Sequence, residues 1–118
     1  MQQESGLEQR LREIRRKFEE SLPGKAERIE DLWRGLQTGW NEELAKSLYA
    51  EVHRLHGSCG TLGFGPVSDV AREIQTLIRE AMERQSLPDA GVCVRITELV
   101  GILSGNCGCR ESPQDLDP

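Results

Sequence analysis

Large apolar residues recur every three or four positions along most of the chain, which is the spacing of one face of a helix. The first run predicts a helix over about residues 5–21. Pro23 and Gly24 follow it, and because both residue types interrupt helices we expect the chain to break there. A second run predicts a separate helix over about residues 24–38. The apolar positions of the first predicted helix are Leu7, Leu11, Ile14, Phe18 and Leu22.

Three more helices are predicted beyond this point. Asn41 can cap a helix of about residues 41–61, because its side chain can accept a hydrogen bond from a free amide of the first turn. Pro66 fits the first turn of the next helix, and a last helix is predicted over about residues 89–104. The loops are short, and no segment alternates as a strand does. The sequence therefore predicts an all-α fold, an antiparallel up-down four-helix bundle with an additional N-terminal helix.

Composition narrows the class of protein. Of the 118 residues 36% are hydrophobic, enough for one core, and we assign residues 1–106 to a single helical bundle and residues 107–118 to a flexible polar tail. The net charge of −5 argues against nucleic acid as a ligand, because phosphate backbones select basic faces. No apolar run approaches the roughly 20 residues that cross a bilayer, so no membrane partner is expected. We expect a cytoplasmic monomer whose four cysteines are thiols.

The candidate chemistry lies in the segment VHRLHGSCGTLGFG, residues 52–65, which holds both histidines of the chain. On a helix that advances about 100° per residue, His53 projects away from the apolar face and His56 lies near its boundary. Gly57 weakens a helix by about 1 kcal/mol relative to alanine. We interpret its missing side chain as clearance for another macromolecule, although glycines that only loosen a helix end would give the same pattern.

The helix after this segment supplies possible support for His53. If the two helices form an antiparallel hairpin, the middle of the second one lies beside His53. Gln75 can then hydrogen-bond one ring nitrogen, fix the tautomer and leave the other nitrogen free as a nucleophile. Arg79, or Arg72 on the same flank, can offset the charge of a bound phosphoryl group.

The stretch HRLHGSCGTLGF closely resembles the signature of histidine-containing phosphotransfer (HPt) domains, and the resemblance extends over about residues 10–104. His53 falls at the phosphoacceptor position, and the family places a Gln or Glu at the position of Gln75 to support it. Lysine is usual in the family where this chain has His56, whose imidazole is less often charged near neutral pH. The matching motif positions around His53 are Leu55, Gly57, Ser58 and Gly63.

This resemblance implies a function. The resemblance implies a four-helix bundle that carries a phosphoryl group. The group passes to or from an aspartate of a response-regulator receiver domain, or is taken from a histidine kinase or hybrid kinase. The catalytic Mg²⁺ belongs to the partner, so we expect no enzyme activity, metal or cofactor in this chain. The implied site has His53 as phosphoacceptor, with supporting residues His56, Gly57, Ser58, Gln75 and Arg79.

Two other readings stay open. The bundle can dock receivers without carrying phosphate, as a non-catalytic interaction module. Less favoured is a metal-binding bundle that uses His53 and His56 at a spacing of three, with Cys107 and Cys109 as thiolate donors; zinc sites usually show Cys-x₂-Cys pairs instead.

Overall fold

The structure is a computed structural model that describes residues 6–107, with side chains described to residue 105. Within this part of the chain every regular element is a helix. The four helices are α1 (Gly6–Gln37), α2 (Glu42–Leu62), α3 (Gly65–Arg84) and α4 (Ala90–Cys107). The polar tail was predicted to begin at residue 107, but Cys107 is the last residue of α4. The remainder of the predicted tail, residues 108–118, lies outside the described residues.

The helices pack as a bundle in which each helix contacts two neighbours: α1 with α2 and α4, and α3 with α2 and α4. Contacts between α2 and α3 run in opposite order along the two helices, since His53 meets Gln75 and His56 meets Ser68. This is the antiparallel arrangement, and the predicted all-α four-helix bundle is confirmed. Its core is formed mainly by aliphatic side chains, including Ile29, Leu36, Leu48, Val52, Ile74, Ile78, Ile96 and Leu103.

The predicted break at Pro23 does not occur. Pro23 lies inside α1, so the two helices predicted before residue 40 are one helix of 32 residues, and the additional N-terminal helix is not a separate element. The carbonyl that loses its amide partner to Pro23 is that of Glu19, and Glu19, Pro23 and Gly24 are all exposed residues. Buried Leu22 and Ala26 flank this site and keep the apolar spacing in register across it. Packing of the helix on both sides of Pro23 therefore outweighs the tendency of proline to interrupt a helix.

The residues predicted to begin and end α2 and to begin α3 lie at these helix ends in the structure. The side chain of Asn41 accepts a hydrogen bond of 3.0 Å from the amide of Leu44, as predicted. Gly63 closes α2 with a φ of 88°, a left-handed conformation that favours glycine, and its amide bonds to the carbonyl of Cys59. Pro66 lies in the first turn of α3. The turn of two residues between α2 and α3 holds these helices as the hairpin on which the site depends.

Besides apolar packing, two hydrogen-bonded pairs of side chains among the described residues join α4 to its neighbours. The indole nitrogen of Trp33 in α1 donates to the hydroxyl of Thr97 at 3.0 Å. Arg95 forms two hydrogen bonds to the carboxylate of Glu73 in α3, at 2.9 and 3.0 Å, and these bonds lower the pKa of Glu73. No helix in the described part of the chain combines the length and apolarity needed to span a membrane.

Candidate functional site

α2 presents His53 to solvent because its neighbours fix the orientation of the helix. Val52 is fully buried and Leu55 is 2% exposed, so the face that carries both packs into the core. His53 lies on the opposite side and is exposed. The predicted outward direction of this imidazole is therefore present in the structure.

Gln75 of α3 contacts the His53 ring from the adjacent helix. The distance between His53 Nδ1 and Gln75 Oε1 is 3.3 Å, at the long end of the hydrogen-bond range. Because an amide oxygen only accepts, this contact favours the tautomer whose ring proton is on Nδ1. The lone pair of the neutral ring then lies on Nε2. The predicted pairing of these two residues is present.

Tyr49 is a second neighbour of the His53 ring, and it was not predicted. The two rings are nearly parallel, with an interplanar angle of 9° and centroids 5.9 Å apart. Tyr49 lies one helical turn before His53, on the same face of α2. That spacing of four was visible in the sequence, but the orientation of the phenol ring was not.

His56 contacts α3 as well, at a different residue. Its Nδ1 lies 2.9 Å from the hydroxyl and 3.2 Å from the carbonyl oxygen of Ser68. The Ser68 hydroxyl in turn donates to the backbone carbonyl of His56 at 3.1 Å. Because a carbonyl oxygen can only accept, Nδ1 of His56 carries a proton. The half-buried ring is thus part of the α2–α3 packing, and its predicted support of a phosphoryl group stays a prediction.

Gly57 and Gly60 lie on the exposed side of α2 close to His53. A Cβ atom added at Gly57 would meet nothing within 4 Å, and one at Gly60 would meet only the Ser68 hydroxyl at 3.5 Å, an ordinary contact. The packing of this chain therefore does not require glycine at either position. The role of Gly57 as clearance for an approaching partner stays a prediction.

Ser58 lies on a different side of α2. It borders a small cavity of about 80 Å³ together with Arg54 of α2 and with Phe18 and Lys25 of α1. A spacing of five residues puts Ser58 roughly 140° around the helix from His53. The structure therefore brings Ser58 toward α1 and not toward the His53–Gln75 pair.

Arginines stand on both sides of Gln75 along α3. Arg72 and Arg79 are exposed and lie three and four residues from Gln75, on the same face of the helix. Arg72 is 3.8 Å from Asp69, whereas Arg79 forms no ion pair with any residue between 6 and 105. Both guanidinium groups are therefore exposed to solvent on the face of α3 that carries Gln75.

Side chains that could bind a metal ion do not cluster in the described part of the chain. Among residues 6–105 there is no group of three or more His, Cys, Asp or Glu side chains that could hold a metal ion. Cys109 and the side chain of Cys107, which the metal-binding reading requires, lie outside the described part.

The family model described as the Hpt domain matches residues 13–104, which is most of the chain. The chain belongs to the Hpt domain family. No curated protein matches the chain. An Hpt domain is a phosphotransfer carrier of two-component signalling and is not a catalyst in itself. Receiver domains and histidine kinases are its partners.

Within this Hpt domain the geometry divides the predicted site residues into groups. His53, Gln75 and the unpredicted Tyr49 are in direct contact. His56 and Ser58 face α3 and α1, respectively. Gly57 and Arg79 are exposed to solvent on α2 and α3, respectively.

Proposed function

We propose that this Hpt domain accepts a phosphoryl group on Nε2 of His53. The observation that carries the proposal is the exposed imidazole whose Nδ1 is bonded to Gln75, so that the lone pair lies on Nε2. In the reaction, Nε2 forms a bond to phosphorus while the bond from phosphorus to an aspartyl oxygen of a receiver breaks, releasing the receiver's carboxylate. The reverse exchange, with another receiver's aspartate as acceptor, returns His53 to its starting state.

Nδ1 keeps its proton through both steps. The Gln75 oxygen accepts from Nδ1–H before and after the transfer, so no proton has to move when the N–P bond forms. The ring is held by contacts that exist before the partner arrives, and such positioning lowers the barrier for transfer. The receiver's active site supplies the Mg²⁺; Arg79 and Arg72 add positive charge beside the phosphoryl group.

The transfer takes place between proteins in the cytoplasm, with this chain as a monomer. Cys93 is a free thiol in the structure, which suits a reducing compartment. The docking surface is the exposed face of α2 around His53, where Gly57 leaves room for the rim of the receiver's site.

Labelled phospho-receiver provides the direct test. We expect the full chain to take up label that is stable in alkali and labile in acid, as a phosphoramidate is. His53→Gln should take up none, whereas His56→Gln, the matched control at the other histidine, should still be labelled. Labelling that persists in His53→Gln contradicts the assignment, and receiver binding without any labelling would favour the docking module.

A further inference from the structure

The N-terminal turns of α1 extend past the rest of the bundle. Every residue from 6 to 17 is exposed, and we call this segment the overhang. The overhang meets the bundle at its end, where Arg15 donates to the carbonyl of Leu62 at 2.8 Å. Next to it, the rings of Phe18 and Phe64 are 5.6 Å apart. Beyond these contacts the overhang has no neighbouring helix in the described part of the chain.

Three large apolar side chains lie along one face of the overhang. Leu7, Leu11 and Ile14 are 66%, 46% and 44% exposed. Their spacing of four and then three is the spacing of a coiled-coil seam, and Phe18 continues it into the bundle. We call these three residues the overhang stripe. Single exposed apolar residues are ordinary, but a stripe with seam spacing on a protruding helix is typical of an interaction site.

Uncompensated positive charge lines one side of this stripe. Arg10 and Lys17 are seven residues apart, so they lie on the same flank, and neither forms a hydrogen bond or ion pair with a residue between 6 and 105. The opposite face of the overhang is neutralised internally, because Arg16 bonds to both Glu13 and Glu20. Arg10 and Lys17, which have no partner among residues 6–105, therefore lie beside the apolar residues and not on the opposite face of the overhang.

We propose that the overhang stripe docks an acidic amphipathic helix of a partner protein. The partner helix would place apolar residues at heptad spacing against Leu7, Leu11 and Ile14. Carboxylates one heptad apart along its edge would pair with Arg10 and Lys17. The site lies at the end of the bundle next to the α2–α3 turn and is independent of phosphoryl transfer at His53. The interface is small, as in transient signalling contacts.

Charge and composition disfavour the other occupants. In an antiparallel pair with a second copy, Arg10 of each copy would lie opposite Lys17 of the other across the seam, and these like charges would repel. Residues 108–118 of this chain offer Leu116 as their one large apolar side chain, too few to cover the stripe. An anionic bilayer would face the whole molecule, whose net charge of −5 would repel it. An acidic partner helix would contact only the basic overhang.

Two synthetic helical peptides test the proposal with the full chain. Both carry Leu at the a and d positions of each heptad; one has Glu at the e and g positions and the other has Lys. We expect the glutamate peptide to bind more tightly, by fluorescence anisotropy, with an affinity that falls as salt is added. Leu11→Gln with Ile14→Gln should weaken binding by about tenfold or more, because the apolar contact is lost.

Matched variants distinguish binding at the overhang stripe from nonspecific hydrophobic binding elsewhere on the protein. Val94→Gln with Ile102→Gln removes two other exposed apolar residues, on α4, and should leave peptide binding unchanged. Arg10→Glu with Lys17→Glu should transfer the preference to the lysine peptide. Four outcomes overturn the proposal: no binding of either peptide, equal binding of both, dimerisation of the free chain that the stripe variant abolishes, or tighter binding to phosphatidylglycerol vesicles than to the glutamate peptide.

Discussion

Tyr49 stacks on His53 across one turn of α2, with ring centroids 5.9 Å apart and ring planes inclined by 9°. The phenol ring lies beside the imidazole, while Gln75 contacts Nδ1 from the neighbouring helix. A ring held by two different helices has little freedom to rotate, so Nε2 keeps one direction. In the proposed transfer this chain supplies only the nucleophile, so we expect this orientation to be its main contribution to the rate.

Removing the Tyr49 ring should slow phosphoryl uptake. Tyr49→Ala removes the ring that lies beside His53, and we expect the rate of labelling from a phospho-receiver to fall by roughly tenfold, since small misplacements of reacting groups cost rate. Tyr49→Phe keeps the ring and should retain most of the rate. The measurement is made well below the melting temperature of each variant, and equal rates for Tyr49→Ala and the natural chain would contradict the role.

The contact from Gln75 should determine the tautomer of His53. Gln75→Ala removes the acceptor oxygen, so we expect the proton of the neutral ring to spend less time on Nδ1 and labelling to slow several-fold. Gln75→Glu retains an oxygen at this position and should keep the Nδ1–H form. Imidazole ¹⁵N chemical shifts report the tautomer directly, and shifts that are the same in the natural chain and Gln75→Ala would refute the assignment.

A side chain at Gly57 should block the partner and spare the fold. An added Cβ there meets nothing within 4 Å, and glutamine favours helix over glycine by up to about 1 kcal/mol, so Gly57→Gln should melt no lower than the natural chain. Transfer from a phospho-receiver should drop sharply, while labelling by the small donor phosphoramidate should persist. Gly101→Gln on α4, where a Cβ is equally free, is the control and should change neither reaction.

Much of this architecture could be predicted from the sequence because it depends on periodicity and on caps. The bounds of α2 and α3 follow from the apolar spacing together with Asn41 and Pro66, which act locally. The contact of His53 with Gln75 follows from an antiparallel hairpin with a short turn. At Pro23 the same local reasoning was wrong, since burial on both sides of the proline keeps α1 continuous.

The rest of the site depends on side-chain rotamers, which spacing does not determine. The sequence placed His56 at the edge of the core, but only the neighbouring helix decides that its ring meets Ser68. Ser58 matches the family motif, yet five residues of helical rotation carry it toward α1. Tyr49 was overlooked because its partner ring is on its own helix, where the spacing alone does not distinguish stacking from solvent exposure.

Ser68 should contribute to stability and not to transfer. Its hydroxyl both accepts from His56 Nδ1 and donates to the His56 carbonyl, so Ser68→Ala should lower the free energy of unfolding by about 1 kcal/mol. Thr76→Ala removes a hydroxyl that bonds only within α3, to the carbonyl of Arg72, and should cost less. Urea denaturation measures both. A loss of labelling in Ser68→Ala under folded conditions would instead give His56 a part in transfer.

The link between α3 and α4 should make stability depend on pH. Arg95 bonds to Glu73 and lowers the pKa of this carboxyl below its ordinary value of about 4.5. A carboxyl whose pKa is lowered by folding stabilises the native state above its unfolded pKa, and this contribution disappears as the pH falls through the folded value. Glu73→Gln should therefore melt below the natural chain at neutral pH, by a small margin because the pair is exposed.

The difference in melting temperature between Glu73→Gln and the natural chain should stay constant from neutral pH down to about pH 5. It should shrink below about pH 4.5 and vanish once the natural carboxyl is protonated in the folded state. Glu80→Gln is the matched control, because Glu80 is exposed on the same helix and forms no ion pair with a residue between 6 and 105. If the Glu73→Gln difference were unchanged in acid, its cause would be packing of the side chain and not the charge pair with Arg95.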